Sequence, residues 1–429
     1  MRKAPVTASP TTALPTAPKA SSSNPAASEH LRNPTLARAL FAVWSGDAAV
    51  VVDSPPGAGK TRLITHLAHA LHTRAGMTVA IASQTRAQGI DVANRTAATG
   101  APTTLLTDTE KARPRGLHKA VTLTNHKLLR TGSGVIVATT ARWLWMPTNR
   151  LAHFDVLLID EAYQLTFADL GALGAVADQF VLVGDPGQIA PVVTGTARRW
   201  ETQASGPQVP APHALLAAHG DDTARLRLPQ TWRFGQDTTE LLAPLYPTLP
   251  FTSARPPRHL AAHGDRLPEY RALPVAATGG TADPSVIQTA TDAARALLDT
   301  ASVVTDDTTR LTPADVAVIV PHVEQAALAA AHLADLPDVF VGTINQAQGL
   351  QREAVVAIHP LLGHDPSERF ALDLGRLCVA LSRHQAHVTV ITDQTTPTLL
   401  ADARREHPDA HALTVQAEIL ARLIQGPDA

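Results

Sequence analysis

Short apolar runs, mostly of β-branched residues, recur along the first half of the chain at 49–52, 78–81, 134–137, 156–159 and 180–183. None alternates apolar with polar, and each gives way to a loop carrying Gly, Ser, Thr or Asp. Runs that are apolar on both faces predict strands of a parallel sheet covered by helices. A helical pattern precedes them, with Leu36, Leu40, Val43 and Trp44 at helical spacing. A second series of runs, at 316–320, 339–341, 355–358 and 388–391, follows a Pro-rich stretch. The pattern therefore predicts two doubly wound α/β units, with a boundary between Gly206 and Pro229. The Pro- and Gly-rich interval from Pro247 to Pro284 reads as an irregular excursion of the second unit, and 413–424 as a closing amphipathic helix. Residues 1–30 are Pro, Ala, Ser and Thr with hardly a large apolar side chain, so disorder is expected there.

Composition narrows the classes. A hydrophobic fraction of 45% with 17% charged residues fits a globular chain with packed cores. No apolar run has the length of a membrane span and no secretory pattern opens the sequence, so no membrane association and a cytoplasmic enzyme are expected. One cysteine, Cys378, excludes an intrachain disulfide and a Cys-based zinc site. A net charge of −2 excludes a globally basic nucleic-acid binder but not a local basic track.

The first strand runs into Asp53-Ser-Pro-Pro-Gly-Ala-Gly-Lys-Thr61, followed by a helical pattern. Strand, Gly-rich loop and helix is the setting of a phosphate-binding loop. Pro56, Gly57, Ala58, Gly59, Lys60, Thr61 and Arg62 would border the phosphates of ATP, Lys60 by its charge and Thr61 through Mg²⁺. Ser54 stands where the pattern usually begins with glycine. Downstream, the run 156–159 ends in Asp160-Glu161-Ala162-Tyr163-Gln164. Adjacent acids at a strand end suit Mg²⁺ binding by Asp160 and activation of water by Glu161; a helix N-cap is the plainer alternative.

The next strand leads to Val183-Gly-Asp-Pro-Gly-Gln188-Ile-Ala-Pro-Val192, which resembles motif III of superfamily 1 helicases. That resemblance gives Gln188 the role of γ-phosphate sensor and Asp185 a place in the Mg²⁺ water shell. The Asp-Glu-Ala-x-Gln form of the preceding motif looks like the up-frameshift branch of superfamily 1B. Leu228-Pro-Gln-Thr-Trp-Arg233 resembles motif IV, and Arg376-Leu-Cys-Val-Ala-Leu-Ser-Arg383, expected on a helix, resembles motif VI. Arg233 and Arg383 would then reach the γ-phosphate from the second domain, Arg383 as an arginine finger. Val341-Gly-Thr343-Ile-Asn-Gln-Ala-Gln348-Gly349 is similar to motif V, with Gly349 bordering the nucleotide and Thr343 a nucleic-acid phosphate. Two departures are His322, in place of a tyrosine after the strand 316–320, and Gln351, in place of an acid after the Gln-Gly turn. No adenine-reading glutamine motif is evident between Asn33 and Leu40.

The resemblance implies two RecA-like P-loop NTPase domains, at 31–215 and 216–429, closing on Mg-ATP. It also implies single-stranded DNA or RNA as partner. Ser83 and Thr85 resemble motif Ia, and Thr139 and Thr140 the threonines of motif Ic; short hydroxyls of this kind hold phosphates without reading sequence. Trp143 and Trp145 follow and offer either a base-stacking face or core packing. Lys111, Arg113, Arg115, Lys119, Lys127 and Arg130 form the clearest basic concentration, a strand clamp or a solvated loop. Three functions fit: a helicase translocating 5′ to 3′, an ATPase that remodels protein–nucleic-acid complexes without unwinding, and a non-hydrolysing regulatory module. Lys60, Glu161, Gln188, Arg233 and Arg383 together speak against the third.

Overall fold

The structure is a computed structural model that describes residues 33–107, 113–132, 134–146, 152–193, 195–277, 280–364, 368, 370–407 and 410–427. The segment 1–30, expected to be disordered, lies outside the described residues. The first helix, Pro34–Trp44, is capped by Asn33, whose side chain accepts from the Thr35 and Leu36 amides. Leu36 and Val43 pack inward as the spacing predicts, whereas Trp44 faces solvent.

Eight parallel strands build the first sheet: β1 (Ala49–Asp53), β2 (Val79–Ser83), β3 (Thr103–Leu106), β4 (Thr122–Thr124), β5 (Val135–Thr139), β6 (Phe154–Asp160), β7 (Ala177–Gly184) and β8 (Ala224–Arg227). Their order is β4-β3-β5-β2-β6-β7-β1-β8. Alternate residues of β1 serve opposite faces. Val50 and Val52 join Ile64 and Leu67 in one core, while Val51 joins Leu157 and Leu173 in the other. That double burial is why the strands read as unbroken apolar runs. The sheet extends past the boundary expected at 215/216, because β8 pairs with β1 from Val50↔Ala224 to Asp53↔Arg227. Ala-Arg-Leu-Arg buries only Leu226 well, so it shows no apolar run.

The second domain contains β9 (Gln230–Thr231), β10 (Thr252–Ser253), β11 (His259–Ala262), β12 (Asp265–Arg266), β13 (Tyr270–Val275), β14 (Ala301–Val304), β15 (Thr308–Arg310), β16 (Val316–Val320), β17 (Phe340–Thr343), β18 (Arg352–Ile358) and β19 (His384–Asp393). Its parallel sheet has the order β13-β19-β18-β16-β17. The interval 247–284 is thus not irregular: it supplies the edge strand β13 and part of the antiparallel sheet β12-β11-β14-β15. β11 and β12, of four and two residues, give too short a period to recognise, and the six residues of β13 include Arg271 and Pro274. The closing helix, His411–Gln425, buries Leu413, Val415, Ile419, Leu420 and Leu423 in the second core. Both domains are α/β units built on a parallel sheet.

Candidate nucleotide site at the domain interface

The Gly-rich loop emerges from β1, which lies between β7 and the edge strand β8 of the first sheet. Gly57 (φ 76°) and Gly59 (φ 85°) adopt left-handed backbone, which side-chain-bearing residues rarely take. The following helix, Lys60–Thr73, has no side-chain cap and no acid in its first turn, so its leading N–H groups remain available to an anion. Ser54 explains its departure from glycine: it is buried, and its Oγ and N–H both donate to the Gly184 carbonyl, at 2.8 and 2.9 Å. It fastens the loop to the end of β7. Asp53 is equally buried, accepting from Tyr163 Oη at 2.6 Å and pairing with Arg225 at 2.7 Å.

Asp160 and Glu161 end β6 facing this loop. Thr61 Oγ1 donates to Asp160 Oδ2 at 3.4 Å, and Lys60 Nζ lies 3.4 Å from Glu161 Oε1. Burial, then the Glu161 charge, pushes the Asp160 carboxyl well up, with Lys60 opposing. Glu161 has φ 54°, one of two non-glycine residues with positive φ among those described. That conformation costs on the order of 1–2 kcal/mol and is held by the packed strand end around it. The N-cap alternative is partly realised, since Glu161 precedes the 3-10 turn Ala162–Gln164 but gives it no side-chain cap.

After β7, Asp185 is fully buried and gathers three donors: Gln188 Nε2 at 2.8 Å, the Gly187 amide at 2.9 Å and Tyr246 Oη at 2.9 Å. Burial pushes its carboxyl up, against Lys60 and these hydrogen bonds. Gln188 does not line the central cavity; its amide is engaged by Asp185.

The second domain presses two arginines toward the loop. Thr231 Oγ1 donates to the Pro56 carbonyl at 2.8 Å, and the Trp232 amide to the Gly57 carbonyl at 3.0 Å. Pro56 therefore contributes a buried carbonyl rather than a cavity wall. A Cβ built on Gly57 would stand 2.4 Å from Arg233 Cβ, so only glycine admits this approach. Arg233 Nη1 donates to the Ser382 carbonyl at 2.8 Å, and Arg383 Nη2 to Ser382 Oγ at 2.7 Å. Arg383 lies past the end of the helix Leu374–Leu381, in the turn into β19, rather than on the helix as expected. Ser382 caps that helix and ends it before Arg383. Neither arginine forms an ion pair with a carboxylate among the described residues, and the Nε of each is buried without a hydrogen-bond partner. Burial, then Arg383, pushes Arg233 down to about 9; burial likewise lowers Arg383.

A cavity of about 800 Å³ opens between these elements. Gly57 to Arg62, Asp160, Glu161 and Arg233 form one wall, and Gln348, Gly349 and Gln351 another. Gly349 (φ 79°) makes the turn that brings Gln351 in. Arg383 sits behind Arg233 and does not reach the wall. Among the lining residues that carried no role in the sequence are Trp232, exposed beside Arg233, and Gln88, Asp91 and Arg95 on the helix Arg86–Ala98. Trp232 was legible in principle, as the aromatic neighbour of the motif IV arginine.

The five hydroxyl residues expected at nucleic acid do not form one surface. Ser83 and Thr140 are buried, their hydroxyls turned to strand carbonyls, and Thr343 is buried in a reciprocal cap with Gln346. Strand-end hydroxyls next to a packed turn satisfy the turn first. Thr85 is exposed but caps the helix Arg86–Ala98 and lines the central cavity. Thr139 lines a separate hollow of about 430 Å³ with His126, Arg142 and Trp145. Trp143 is core, donating to the Ile81 carbonyl at 3.1 Å, whereas Trp145 is 86% exposed. Of the basic group, Lys111 lies outside the described residues. Arg113 staples its own loop through the His118 and Val121 carbonyls, and Arg115, Lys119, Lys127 and Arg130 are exposed.

The pairing of a phosphate loop with the acids of β6 in one parallel sheet agrees with a family match. Residues 35–211 match the AAA domain family. The AAA match covers Gly57 to Thr61, Asp160 and Glu161 and stops before Arg233. No curated protein matches the chain. Among solved structures, arterivirus nonstructural protein 10 (helicase) aligns with TM-score 0.45 and 16% identity over 85% of this chain and 64% of that one. The complex of that arterivirus protein with DNA gives 0.43 and 16% over 83% and 63%. The PRRSV helicase gives 0.42 and 16% over 82% and 54%. The chain spans less than two thirds of each. No helix among the described residues is long and apolar enough to cross a membrane.

Proposed function

We propose that the chain is an ATP hydrolase of the superfamily 1 helicase type, stimulated by single-stranded nucleic acid and working at the AAA-domain face of the domain cleft. The supporting observation is the pair of buried arginines of the second domain, Arg233 against Gly57 and Arg383 behind it, with unpartnered Nε groups and no carboxylate in ion-pair contact among the described residues. Two desolvated like charges are unfavourable unless an anion joins them, and a triphosphate is such an anion. The acids fit Mg²⁺ equally well: burial and Glu161 hold Asp160 above its usual range, a strain that a cation beside Thr61 and Asp160 relieves. When bound, the metal would neutralise charge on the phosphates.

In this reading the loop amides and Lys60 hold the phosphates, and Glu161 takes the proton of the attacking water. Gln188 orients that water, and Arg233 and Arg383 stabilise charge on the transferred phosphoryl. Trp232, exposed at the cavity mouth, offers the base a stacking face without reading it as adenine. Because Arg233 belongs to the second domain, hydrolysis requires the domains together, which couples chemistry to motion. Membership of the superfamily 1B branch and 5′ to 3′ polarity follow the resemblance of the Asp-Glu-Ala-x-Gln motif. The proposed domain limits are 33–228 and 229–427, set by the last strand of the first sheet.

The test is ATP turnover by the full chain with and without single-stranded DNA or RNA, followed by unwinding of 5′- and 3′-tailed duplexes. Several-fold stimulation with unwinding of the 5′-tailed duplex is expected. Stimulation without unwinding selects the remodelling ATPase; no turnover under any condition defeats the reading. For the strand, Trp145 is the candidate stacking face, with Arg142 and Thr139 beside it. Trp145→Ala should weaken single-strand binding about tenfold, the scale of one stacked base, with little change in basal ATP turnover. Fluorescence anisotropy with a labelled oligonucleotide measures it, and equal affinities would assign the strand to another surface.

A further inference from the structure

Tyr246 is a second-domain residue bonded to the motif III carboxylate of the first. It lies in the loop before Leu249, with its ring edge-on to Phe251 at 5.2 Å. Its hydroxyl donates to Asp185 Oδ1 at 2.9 Å and contacts Cys378 Sγ at 3.1 Å. Both partners are fully buried. Asp185 uses its other oxygen to hold Gln188, so one carboxylate ties the glutamine to a residue across the domain boundary.

The surroundings leave little freedom. A Cβ on Gly187 would stand 2.5 Å from the Tyr246 ring. A Cβ on Gly375 would stand 2.6 Å from the Gln188 carbonyl carbon and from Ile189. Gly375 opens the helix Leu374–Leu381, which carries Cys378 and leads to Arg383. The turn holding Gln188 is therefore clasped between Tyr246 and this helix. Close packing of this kind permits a discrete arrangement rather than a graded one.

We propose that Tyr246 is a positioning residue: through Asp185 it sets the orientation of Gln188, so that the phosphate sensor is in place only while the domains are together. The inference rests on the ATP site proposed above. Tyr246 touches none of the reacting groups. It acts as a latch whose hydroxyl supplies the only side-chain bond from the second domain to Asp185 among the described residues. Cys378, the chain's single cysteine, lies directly behind the latch, its thiol pushed up to about 12 by burial and then by Asp185. It is a single-site reporter of whether the clasp is closed.

The experiment uses the full chain as wild type, Tyr246→Phe, Gln188→Ala and the double variant. Turnover of ATP and the rate of Cys378 modification by a chromogenic aromatic disulfide, without nucleotide, are both measured. Tyr246→Phe keeps the ring against Gly187, and an unchanged melting temperature shows the fold intact. Its kcat should fall about tenfold, the scale of one hydrogen bond to a buried carboxylate, with KM for ATP little changed. Thiol modification should accelerate several-fold. In the Gln188→Ala background the residual turnover should be nearly indifferent to Tyr246→Phe, because the tyrosine acts through the glutamine. Unchanged turnover in Tyr246→Phe, or an equal loss in both backgrounds, overturns the positioning role. A wild type without turnover whose thiol still reacts faster in Tyr246→Phe would overturn the ATP reading while leaving the latch contact standing; unchanged thiol reactivity as well would remove both.

Discussion

Replacing Glu161 by Gln should lower ATP turnover by about three orders of magnitude, the range for loss of a general base, while nucleotide binding survives. The binding half of this expectation has its own sign argument. Glu161 stands 3.4 Å from Lys60 and raises the neighbouring Asp160. Removing its charge releases Lys60 for the phosphates and lets Asp160 ionise more readily beside Thr61. Affinity for Mg-ATP should therefore hold or increase. Single-turnover hydrolysis and equilibrium binding of a fluorescent ATP analogue separate the two. Turnover at the wild-type rate would remove Glu161 from the chemistry, and lost binding would mean that it serves the ground state instead.

Arg383→Gln should cost roughly 10³ or more in kcat, the scale of an arginine finger. Glutamine keeps much of the length and a donor for Ser382, so the loss is of charge rather than of packing. The same substitution should not lower the melting temperature of the nucleotide-free protein. Arg383 is a buried cation beside another buried cation, and Arg233 is pushed down partly by its presence. Taking one charge away relieves that repulsion and breaks no direct ion pair among the described residues. A protein that stabilises on losing an arginine while its turnover collapses has that arginine in place for a ligand. A fall of several degrees with kcat preserved would make Arg383 a structural residue instead. In the structure Arg383 stands behind Arg233 and off the cavity wall, so its direct action requires further closure of the cleft.

Different parts of the site were legible for different reasons. The candidate phosphate loop is local in the sequence: Gly57, Gly59, Lys60 and Thr61 lie within five consecutive positions between a buried strand and a helix. Asp160 and Glu161 were legible because β6 is buried from Val156 onward and its apolar run ends abruptly in charge. The hydroxyls show the converse. Whether Ser83, Thr140 and Thr343 face a ligand or a neighbouring carbonyl depends on what packs against the strand ends, and nothing in their spacing reports that. β8 and the small antiparallel sheet escaped notice because strands of two to four residues with at most one buried side chain carry no periodic signal.

The sequence by itself determined the two α/β units, the phosphate loop, the paired acids and the order of the arginine-bearing motifs, since each is written in neighbouring residues whose spacing is fixed by strand and helix geometry. Only the tertiary structure decided that Arg233 and Arg383 stand buried together without a carboxylate, that Trp145 is exposed while Trp143 is core, and that Tyr246 clasps Asp185. Those facts join residues more than 60 positions apart or turn on which face is covered, so they arise from packing between elements, which no local pattern encodes.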